Sequence, residues 1–420
     1  MNAEVETFRQ PLEGLGQQAR DAAATLAVTP VSVRDKALRH IAAALREASA
    51  EILAANAQDM ASFSGTPAFG DRLLLNEARL EAIACGVEDI AALPDPLAHT
   101  MAEWSRPNGL IISRVPQPIG VLGMIYESRP NVGADAAAIA LKSGNAIILR
   151  GGSESFYSAQ AIHKAIVRGL SRAGLPESAV QVAPTADRRF VAEMLAATGY
   201  IDLIIPRGGK TLVELVQREA RVPVLSHAEG LNHTYIHEAA DPTMARKILA
   251  NAKMRRPGVC GATETLLIDS AIAPQLLPVL VQDLAALGCQ FKADGRARAV
   301  CPDLPAASEA DFDTEWQDAI LNIAVVDGPD SALAHIYAHG SEHTEAIITE
   351  NAKVAEAYLA RSSAAVTFWN ASTQFCDGGE FGFGAEIGIA TGHIHARGPV
   401  GPEQLTTFRY VVRGNGQVRP

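Results

Sequence analysis

Aromatic residues are scarce in this sequence, at 5% of its 420 residues, and so is cysteine, which occurs only five times. The cysteines are scattered and none belongs to a C-x-x-C pair, so neither a disulfide framework nor a cysteine-based zinc site is indicated. Because free thiols persist in a reducing compartment, we expect a cytoplasmic protein. The five are Cys85, Cys260, Cys289, Cys301 and Cys376.

The sequence also lacks a long apolar run and an excess of basic charge. No stretch approaches the roughly 20 apolar residues that a membrane-spanning helix needs, and residues 1–14 lack the basic and apolar parts of a signal peptide. With 36 basic and 47 acidic residues the net charge is −11. That charge disfavours a nucleic-acid partner, although it leaves room for a local basic pocket that binds a phosphate. We expect neither a nucleic acid nor a membrane as a partner.

Two kinds of hydrophobic pattern divide the chain. Up to about residue 100, apolar residues recur at the helical period, for example at Leu38, Ile41, Leu45 and Ile52. After the Asn108-Gly109 turn, which suggests a projecting hairpin, short β-type runs alternate with helical stretches in two successive series. This alternation predicts an α/β fold with two lobes, each built on a parallel sheet.

The usual glycine motifs for nucleotides are missing. The glycines from Gly382 to Gly388 fail the G-x-G-x-x-G spacing, and Ile204 stands where a Walker A motif needs a glycine. Two other segments carry a strand into glycines and then into a helix, a device that can bind a phosphate through backbone N–H groups. From the pattern alone, phosphate binding and a plain turn both remain open for them. They are Arg150-Gly151-Gly152-Ser153 and Arg207-Gly208-Gly209.

Three histidines, His335, His339 and His343, recur at intervals of four and could present metal ligands along one helix. Gly340 and Ser341 interrupt that helix and no fixed carboxylate accompanies it, so a metal site is not favoured. Nor does the chain contain the G-x-S-x-G motif of serine hydrolases.

Cys260 has the best local context of the five cysteines. It follows a basic run, Lys253, Arg255 and Arg256, which is expected to lower the pKa of its thiol, and it precedes a β-type segment that would hold it rigidly. Cys85, by contrast, falls on a helical pattern and is predicted to lie in the core. Since free cysteines are often simply buried, the local pattern leaves both a nucleophile and a core residue open for Cys260.

Four blocks of sequence carry a resemblance to a known family. In order, they are residues 119–155, 251–269, 335–349 and 370–419. From about residue 10 to its C-terminus, the chain resembles the γ-glutamyl phosphate reductases, which belong to the aldehyde dehydrogenase superfamily.

This resemblance implies the reduction of L-glutamyl 5-phosphate by NADPH to L-glutamate 5-semialdehyde, with release of phosphate, as the second step of proline synthesis from glutamate. A cysteine thiolate would displace the phosphate, and the thioester would then accept hydride. The resemblance also implies a homo-oligomer and a hand-over of the labile substrate from glutamate 5-kinase.

The implied fold is α/β and aldehyde-dehydrogenase-like, with two parallel-sheet lobes and a β-hairpin oligomerisation arm. The domain boundaries that follow are expectations. A dinucleotide-binding domain would span 1–104 and 125–230 with part of 370–394, a catalytic domain 231–370, and the arm 105–124 with 395–420.

The resemblance assigns roles to individual residues. The nucleophile falls on Cys260, Ser128 matches the position of an oxyanion donor, and Glu315 matches the glutamate that holds the nicotinamide ribose. Arg150 and Ser153 match the segment that meets the adenosine ribose, and the glycines beside them and the 207–209 loop are expected to contact the cofactor. Arg129 and Arg397 are proposed contacts for the phosphate or carboxylate of the substrate.

Hydrolytic aldehyde dehydrogenases need a glutamate that activates water. When this sequence is aligned with theirs at Gly230, His227 falls at the position of that glutamate. A missing carboxylate there suits an enzyme in which phosphate, not water, exchanges with the thioester. Three residues depart from the family pattern, namely Gly261 for Asn, Asn232 for Cys and Gln374 for Arg. Two alternatives stay open: a hydrolytic semialdehyde dehydrogenase, and a non-catalytic paralogue that binds the upstream kinase, which Gly261 and Gln374 motivate.

Overall fold

A computed structural model describes residues 3–127, 129–225 and 229–419. The chain begins with a helical layer, as the sequence predicted, and Leu38, Ile41, Leu45 and Ile52 are all buried in its core. The helices of this layer are α1 (Ala3–Leu26), α2 (Val31–Glu47), α3 (Ser49–Ser62), α4 (Pro67–Leu73) and α5 (Glu77–Ala92).

A hairpin follows the helical layer and projects from the body of the protein. Its strands are β1 (Ala102–Ser105) and β2 (Ile111–Pro118), which pair antiparallel across a turn where Gly109 has a φ of 84°. Glycine adopts this left-handed conformation without the steric cost of a Cβ.

The first lobe is a four-stranded parallel sheet with the strand order β5-β4-β3-β6. Its strands are β3 (Val121–Tyr126), β4 (Ala146–Arg150), β5 (Val180–Val182) and β6 (Leu203–Arg207). Its helices are α6 (Asn131–Lys142), α7 (Phe156–Ala173), α8 (Arg189–Ala196) and α9 (Lys210–Glu219). The helical layer packs closely on this lobe, because a Cβ added to Gly169 of α7 would lie 2.6 Å from the backbone nitrogen of Ile41 in α2.

The second lobe is a six-stranded parallel sheet with the order β12-β11-β7-β8-β10-β9. Its strands are β7 (Asn232–Ile236), β8 (Thr263–Asp269), β9 (Gln290–Ala293), β10 (Ile320–Val326), β11 (Thr344–Ile348) and β12 (Val366–Trp369). Its helices are α10 (Pro242–Met254), α11 (Ala273–Ala286), α12 (Gly295–Val300), α13 (Glu309–Phe312), α14 (Gly328–His339) and α15 (Ala352–Arg361). Separate apolar clusters form on the two faces of this sheet. The predicted α/β class with two parallel-sheet lobes is thus confirmed.

The C-terminal segment returns to both the first lobe and the hairpin. A glycine-rich loop, residues 376–388, leads into two short strands, β13 (Ile389–Ala390) and β14 (Gly398–Pro399). The last strand, β15 (Thr406–Arg413), pairs antiparallel with β2 and completes a three-stranded sheet, here called the arm. Among the described residues, no helix is long and apolar enough to span a membrane.

Candidate active site

A cleft of about 750 Å³ separates the two lobes. The carboxyl ends of the first-lobe strands and the amino ends of the second-lobe strands meet at it, and the carboxyl edge of a parallel sheet is the usual ligand-binding edge. The loop 376–388 contributes a third wall. Residues from all three walls include Glu127, Arg129, Arg207, Cys260, Glu315 and Glu386.

Cys260 lies on the loop that connects α10 to β8, and the neighbouring strand β7 holds this loop in place. The side-chain nitrogen of the fully buried Asn232 donates to the carbonyl oxygens of Cys260 at 2.6 Å and of Ala262 at 2.8 Å. A Cβ on Gly230 would stand 2.1 Å from the same Cys260 carbonyl, so only glycine fits there. The backbone that carries the thiol is therefore fixed from one side.

The sequence predicted that the basic run before Cys260 lowers the pKa of its thiol, and this prediction is wrong. Burial raises the pKa of the Cys260 thiol to about 11, the carboxylates of Glu386 and Glu315 add to the rise, and Arg207 opposes it. None of the three sequence-adjacent cations is among the charges that act on the thiol, and two of them are engaged elsewhere. Lys253 forms a buried ion pair with Glu264 at 2.7 Å, and Arg255 donates to Gln374 at 3.4 Å.

Three arginines instead gather on the first-lobe side of the thiol. Arg207 ends β6, Arg129 follows β3, and Arg72 comes from α4 of the helical layer; all three line the cleft. Burial lowers the pKa of Arg129, and repulsion from Arg207 and Arg72 lowers it further, whereas Cys260 raises it. Among the described residues, none accepts a side-chain hydrogen bond from these three guanidinium groups. Cations that repel one another without partners favour an anionic ligand between them.

Two residues that depart from the family pattern, Gly261 and Gln374, lie near the nucleophile. Gly261 has an ordinary negative φ, and a Cβ added there would lie 3.3 Å from the carbonyl oxygen of Thr373, so its backbone does not demand glycine. Gln374 is buried, accepts from Arg255 and donates to the carbonyl oxygen of Ala252 at 3.0 Å. It therefore ties the end of α10 to the loop before residue 376.

Glu315 lies in the cleft on the segment that precedes β10. One carboxylate oxygen accepts from the backbone N–H of Gly230 at 3.1 Å and the other from the side chain of Gln317 at 3.0 Å. Burial raises the pKa of Glu315, and these two donors oppose the rise. Both oxygens of this carboxylate already have a donor.

The two glycine segments, residues 150–153 and 207–209, follow β4 and β6, the two strands that pair with β3. They therefore lie on either side of the end of β3, at the ligand-binding edge of the sheet. A Cβ on Gly151 would lie 3.0 Å from the hydroxyl of Tyr126, and one on Gly208 would lie 2.4 Å from the carboxylate of Glu127. Glu127 also accepts from the backbone N–H of Gly209 at 3.0 Å. The two loops thus form a narrow cradle in which larger side chains do not fit.

Arg150 and Ser153 differ in how they meet this cradle. Arg150 is buried and donates to the carbonyl oxygen of Ala186 at 2.7 Å, while its Nε has no partner among the described residues. Ser153 is exposed at the start of the helical turn after Gly152. Arg188, on the neighbouring loop, is close enough that its charge lowers the pKa of Arg150 in addition to burial.

The remaining predicted site residues lie elsewhere. Arg397 does not line the cleft; its guanidinium donates to the carbonyl oxygens of Ser363 at 2.7 Å and Thr391 at 3.2 Å, so its placement gives no support for substrate contact. Ser128 and His227 lie outside the described residues.

The spaced histidines do not form a metal centre. His335 and His339 are in contact on α14, with ring centroids 4.6 Å apart and the rings tilted by 44°, and His343 is buried beyond the end of that helix. Within the described ranges no three His, Cys, Asp or Glu side chains converge as metal ligands. Of the other cysteines, Cys376 is buried beside the cleft, while Cys85 is exposed on α5 and not in the core as predicted.

The sequence pattern missed two cleft residues, Arg72 and Glu386. Arg72 lies on a short amphipathic helix that gave no functional signal. Glu386 belongs to the glycine-rich loop, whose mixture of Gly, Phe and Glu did indicate an ordered functional segment.

Comparisons with known proteins agree with this arrangement. Residues 11–299 match the model of the aldehyde dehydrogenase family. The γ-glutamyl phosphate reductase of Acidiphilium cryptum is 70% identical over 96% of both chains. That of Gluconobacter oxydans is 65% identical over 97% of this chain and 96% of the relative.

This chain belongs to the γ-glutamyl phosphate reductase family. The crystal structure of the family member from Thermotoga maritima has a TM-score of 0.95 at 41% identity and covers 97% of this chain and 100% of its own. The resemblance drawn from the four sequence blocks is confirmed, and the chain is an oxidoreductase of the aldehyde dehydrogenase type. Its fold implies the use of a nicotinamide cofactor.

Proposed function

We propose that this protein reduces L-glutamyl 5-phosphate to L-glutamate 5-semialdehyde and phosphate with NADPH, in the synthesis of proline. The observation that carries the proposal is that the Cys260 thiol shares its cleft with three arginines whose guanidinium groups have no side-chain partner in the part of the chain that the structure describes. A thiol attacks an acyl phosphate, and the phosphate that leaves is the dianion that such a cluster would bind.

The chain's own residues account for binding and orientation. Arg129 and Arg72 would hold the phosphate, and Arg207 would stabilise the thiolate as it forms, since it is the cation that lowers the pKa of Cys260. Asn232 would keep the backbone of Cys260 fixed while the thioester forms. Ser128 stays a prediction as oxyanion donor.

The cradle on the first lobe fits a dinucleotide. Residues 150–153 and 207–209 would hold the cofactor phosphates, and Glu315 would hold the nicotinamide ribose. Arg150, whose buried Nε has no partner within the described ranges, and Arg188 would provide the positive charge that suits the 2′-phosphate of NADPH. When bound, the cofactor supplies the hydride that reduces the thioester carbonyl.

The decisive experiment is the reverse reaction, semialdehyde oxidation, measured with and without phosphate and with NADP⁺ or NAD⁺. We expect oxidation to require phosphate or arsenate and to prefer NADP⁺. Cys260→Ala should abolish it, whereas Cys301→Ala, which removes a free cysteine outside the cleft, should leave it unchanged.

The same assay separates the alternatives. Robust oxidation without phosphate would identify a hydrolytic semialdehyde dehydrogenase and overturn the proposed reaction. Absence of turnover in every condition by a folded protein would favour the non-catalytic paralogue that binds the upstream kinase.

We further propose that the protein self-associates through the arm. One face of this sheet exposes Trp104, Phe408, Tyr410 and Val412, between 39% and 56% of each residue. A contiguous exposed apolar face of this kind favours burial against a partner. Glutamate 5-kinase as a donor of substrate also remains a proposal.

A further inference from the structure

The proposed reaction has not yet used one carboxylate whose charge acts on the nucleophile. Glu386 lies on the loop 376–388 and lines the same cleft as Cys260. One of its oxygens accepts from the backbone N–H of Gly378 at 3.0 Å, and no other described residue donates to the carboxylate. The loop itself is closed by backbone hydrogen bonds, for example from Phe383 to Gly378 at 2.8 Å, so Glu386 is held on an ordered segment.

Two carboxylates act on the Cys260 thiol, those of Glu386 and Glu315, and they differ in how firmly hydrogen bonds hold them. Both oxygens of Glu315 already accept hydrogen bonds, from Gly230 and Gln317. Among the described residues, a single donor contacts Glu386, and it contacts only one of the two oxygens. Glu386 is therefore the less restrained of the two carboxylates and the better placed to exchange a proton with the thiol or with a group bound next to it.

The charges around Glu386 suit this role. Asp377 from its own loop, Arg207 from the first lobe and the thiols of Cys260 and Cys376 face it. Burial raises the pKa of Glu386 to about 7, Asp377 adds to the rise, and Arg207 opposes it. A group with a pKa near the working pH can both accept and donate a proton efficiently.

We propose that Glu386 is the acid–base residue of the reaction. Its carboxylate takes the thiol proton as sulfur bonds to the acyl carbon, and it gives that proton to the bridging oxygen as the carbon–oxygen bond to phosphate breaks. The products of this step are the Cys260 thioester and HPO₄²⁻. After reduction, the thiolate leaves the aldehyde carbon and regains a proton from solvent through Glu386, so each turnover consumes one proton.

This inference rests on the proposed acyl-phosphate chemistry at Cys260, and its test separates the two. The variant is Glu386→Gln, which keeps the shape and removes the charge and the proton. The matched control is Glu380→Gln, an exposed glutamate on the same loop that does not line the cleft. Glu386→Asp serves as the conservative variant, which keeps a carboxyl group at a shorter reach.

Two measurements are made on each variant. The first is kcat and kcat/KM for phosphate-dependent semialdehyde oxidation across pH 5.5 to 9, as rough limits set around the pKa of Glu386. The second is the rate at which iodoacetamide alkylates Cys260 over the same range, which reports the thiolate fraction and the access to the thiol without requiring turnover.

For Glu386→Gln we expect kcat to fall about 100-fold and the rise of kcat/KM with pH near 7 to disappear. Alkylation should be at least as fast as in the unmodified protein, because a negative charge beside the thiol has been removed. Glu386→Asp should retain the pH dependence with part of the activity, and Glu380→Gln should match the unmodified protein.

Two results would overturn the role of Glu386. In the first, kcat of Glu386→Gln stays within about threefold of the unmodified protein, and kcat/KM still rises with pH near 7. The loss of an acid–base group should lower kcat far more than this. The other is a parallel loss of turnover and alkylation, which a merely structural residue would give. If the unmodified protein shows no phosphate-dependent oxidation at all, the proposed function fails instead.

Discussion

The side-chain amide of Asn232 and the carbonyl oxygen of Cys260 are 2.6 Å apart, and this hydrogen bond joins the first strand of the second lobe to the nucleophile loop. The same nitrogen donates to the carbonyl oxygen of Ala262 at 2.8 Å, so one buried amide holds the backbone from Cys260 to Ala262. The position of the thiol is thus decided by a residue 28 positions earlier in the chain.

Replacing Asn232 by leucine should loosen this loop. We expect Asn232→Leu to lower kcat about 10- to 100-fold with little change in KM, since two buried carbonyl groups lose their donor and the thiol is less well oriented. Steady-state kinetics of semialdehyde oxidation test this. Unchanged kcat in a folded variant would contradict the positioning role.

Arg207 should control how readily Cys260 ionises. In Arg207→Met the thiol loses the cation that opposes its raised pKa, so alkylation by iodoacetamide at pH 8 should slow by about tenfold or more. The control is Lys210→Met, since the Lys210 ammonium is paired with Glu229 at 2.9 Å and is not among the charges that act on the thiol. Equal alkylation rates in both variants would show that Arg207 does not act on the thiol.

The buried pair of Lys253 and Glu264 should be costly to break. Lys253→Met leaves an uncompensated buried carboxylate, and we expect the free energy of unfolding to fall by about 3–5 kcal/mol at pH 8. Burial raises the pKa of Glu264 to about 7, so its carboxyl is mostly neutral at pH 5.5 and the loss should shrink there. Urea unfolding at the two pH values measures this. Adding Glu264→Gln should recover part of the loss, and an equal loss at both pH values would contradict the argument.

His335 should make the fold less stable in acid. Burial, with His233 and His339 nearby, lowers its pKa from 6.5 to about 3. Between these values the unfolded chain binds a proton that the folded protein does not, so stability falls as pH falls from 6.5 towards 3, by at most about 1.4 kcal/mol per pH unit. His335→Gln should reduce this acid loss in urea unfolding at pH 7.5 and 5. The exposed His395→Gln is the control, and identical pH dependence in both variants would argue against the prediction.

The arm should mediate self-association through its aromatic face. The rings of Trp104 and Tyr410 pack edge to face with centroids 6.0 Å apart on that face. Tyr410→Glu places a charge there and should shift the protein towards smaller species in sedimentation velocity. Thr407→Glu introduces the same charge on the opposite face of β15 and should have the smaller effect. If Tyr410→Glu sediments as the unmodified protein does, the arm is not the interface.

Much of the fold could be predicted because local patterns repeat along the chain. Leu38, Ile41 and Leu45 lie on the buried face of α2 and Ile52 on that of α3, and alternating strands and helices leave few arrangements other than parallel sheets. The turn at Asn108-Gly109 was visible for the same reason. Cys85 was misplaced because it lies off the buried face of α5, on the side that carries the ion pairs of Glu81 and Glu88 with Arg46.

The sequence by itself determined the two-lobed α/β architecture, the glycine segments at the ends of β4 and β6, and Cys260 as the leading nucleophile, since each depends on neighbours in the chain. Only the tertiary structure decided the surroundings of the thiol. Lys253 is close to Cys260 in sequence yet pairs with Glu264, whereas Arg207 and Glu386 come from distant segments and act on it. Electrostatic interaction depends on separation in space and on burial, and neither can be read from spacing along the chain. That is why the direction of the pKa shift of Cys260 was predicted wrongly while the identity of the cysteine could be inferred from its sequence context.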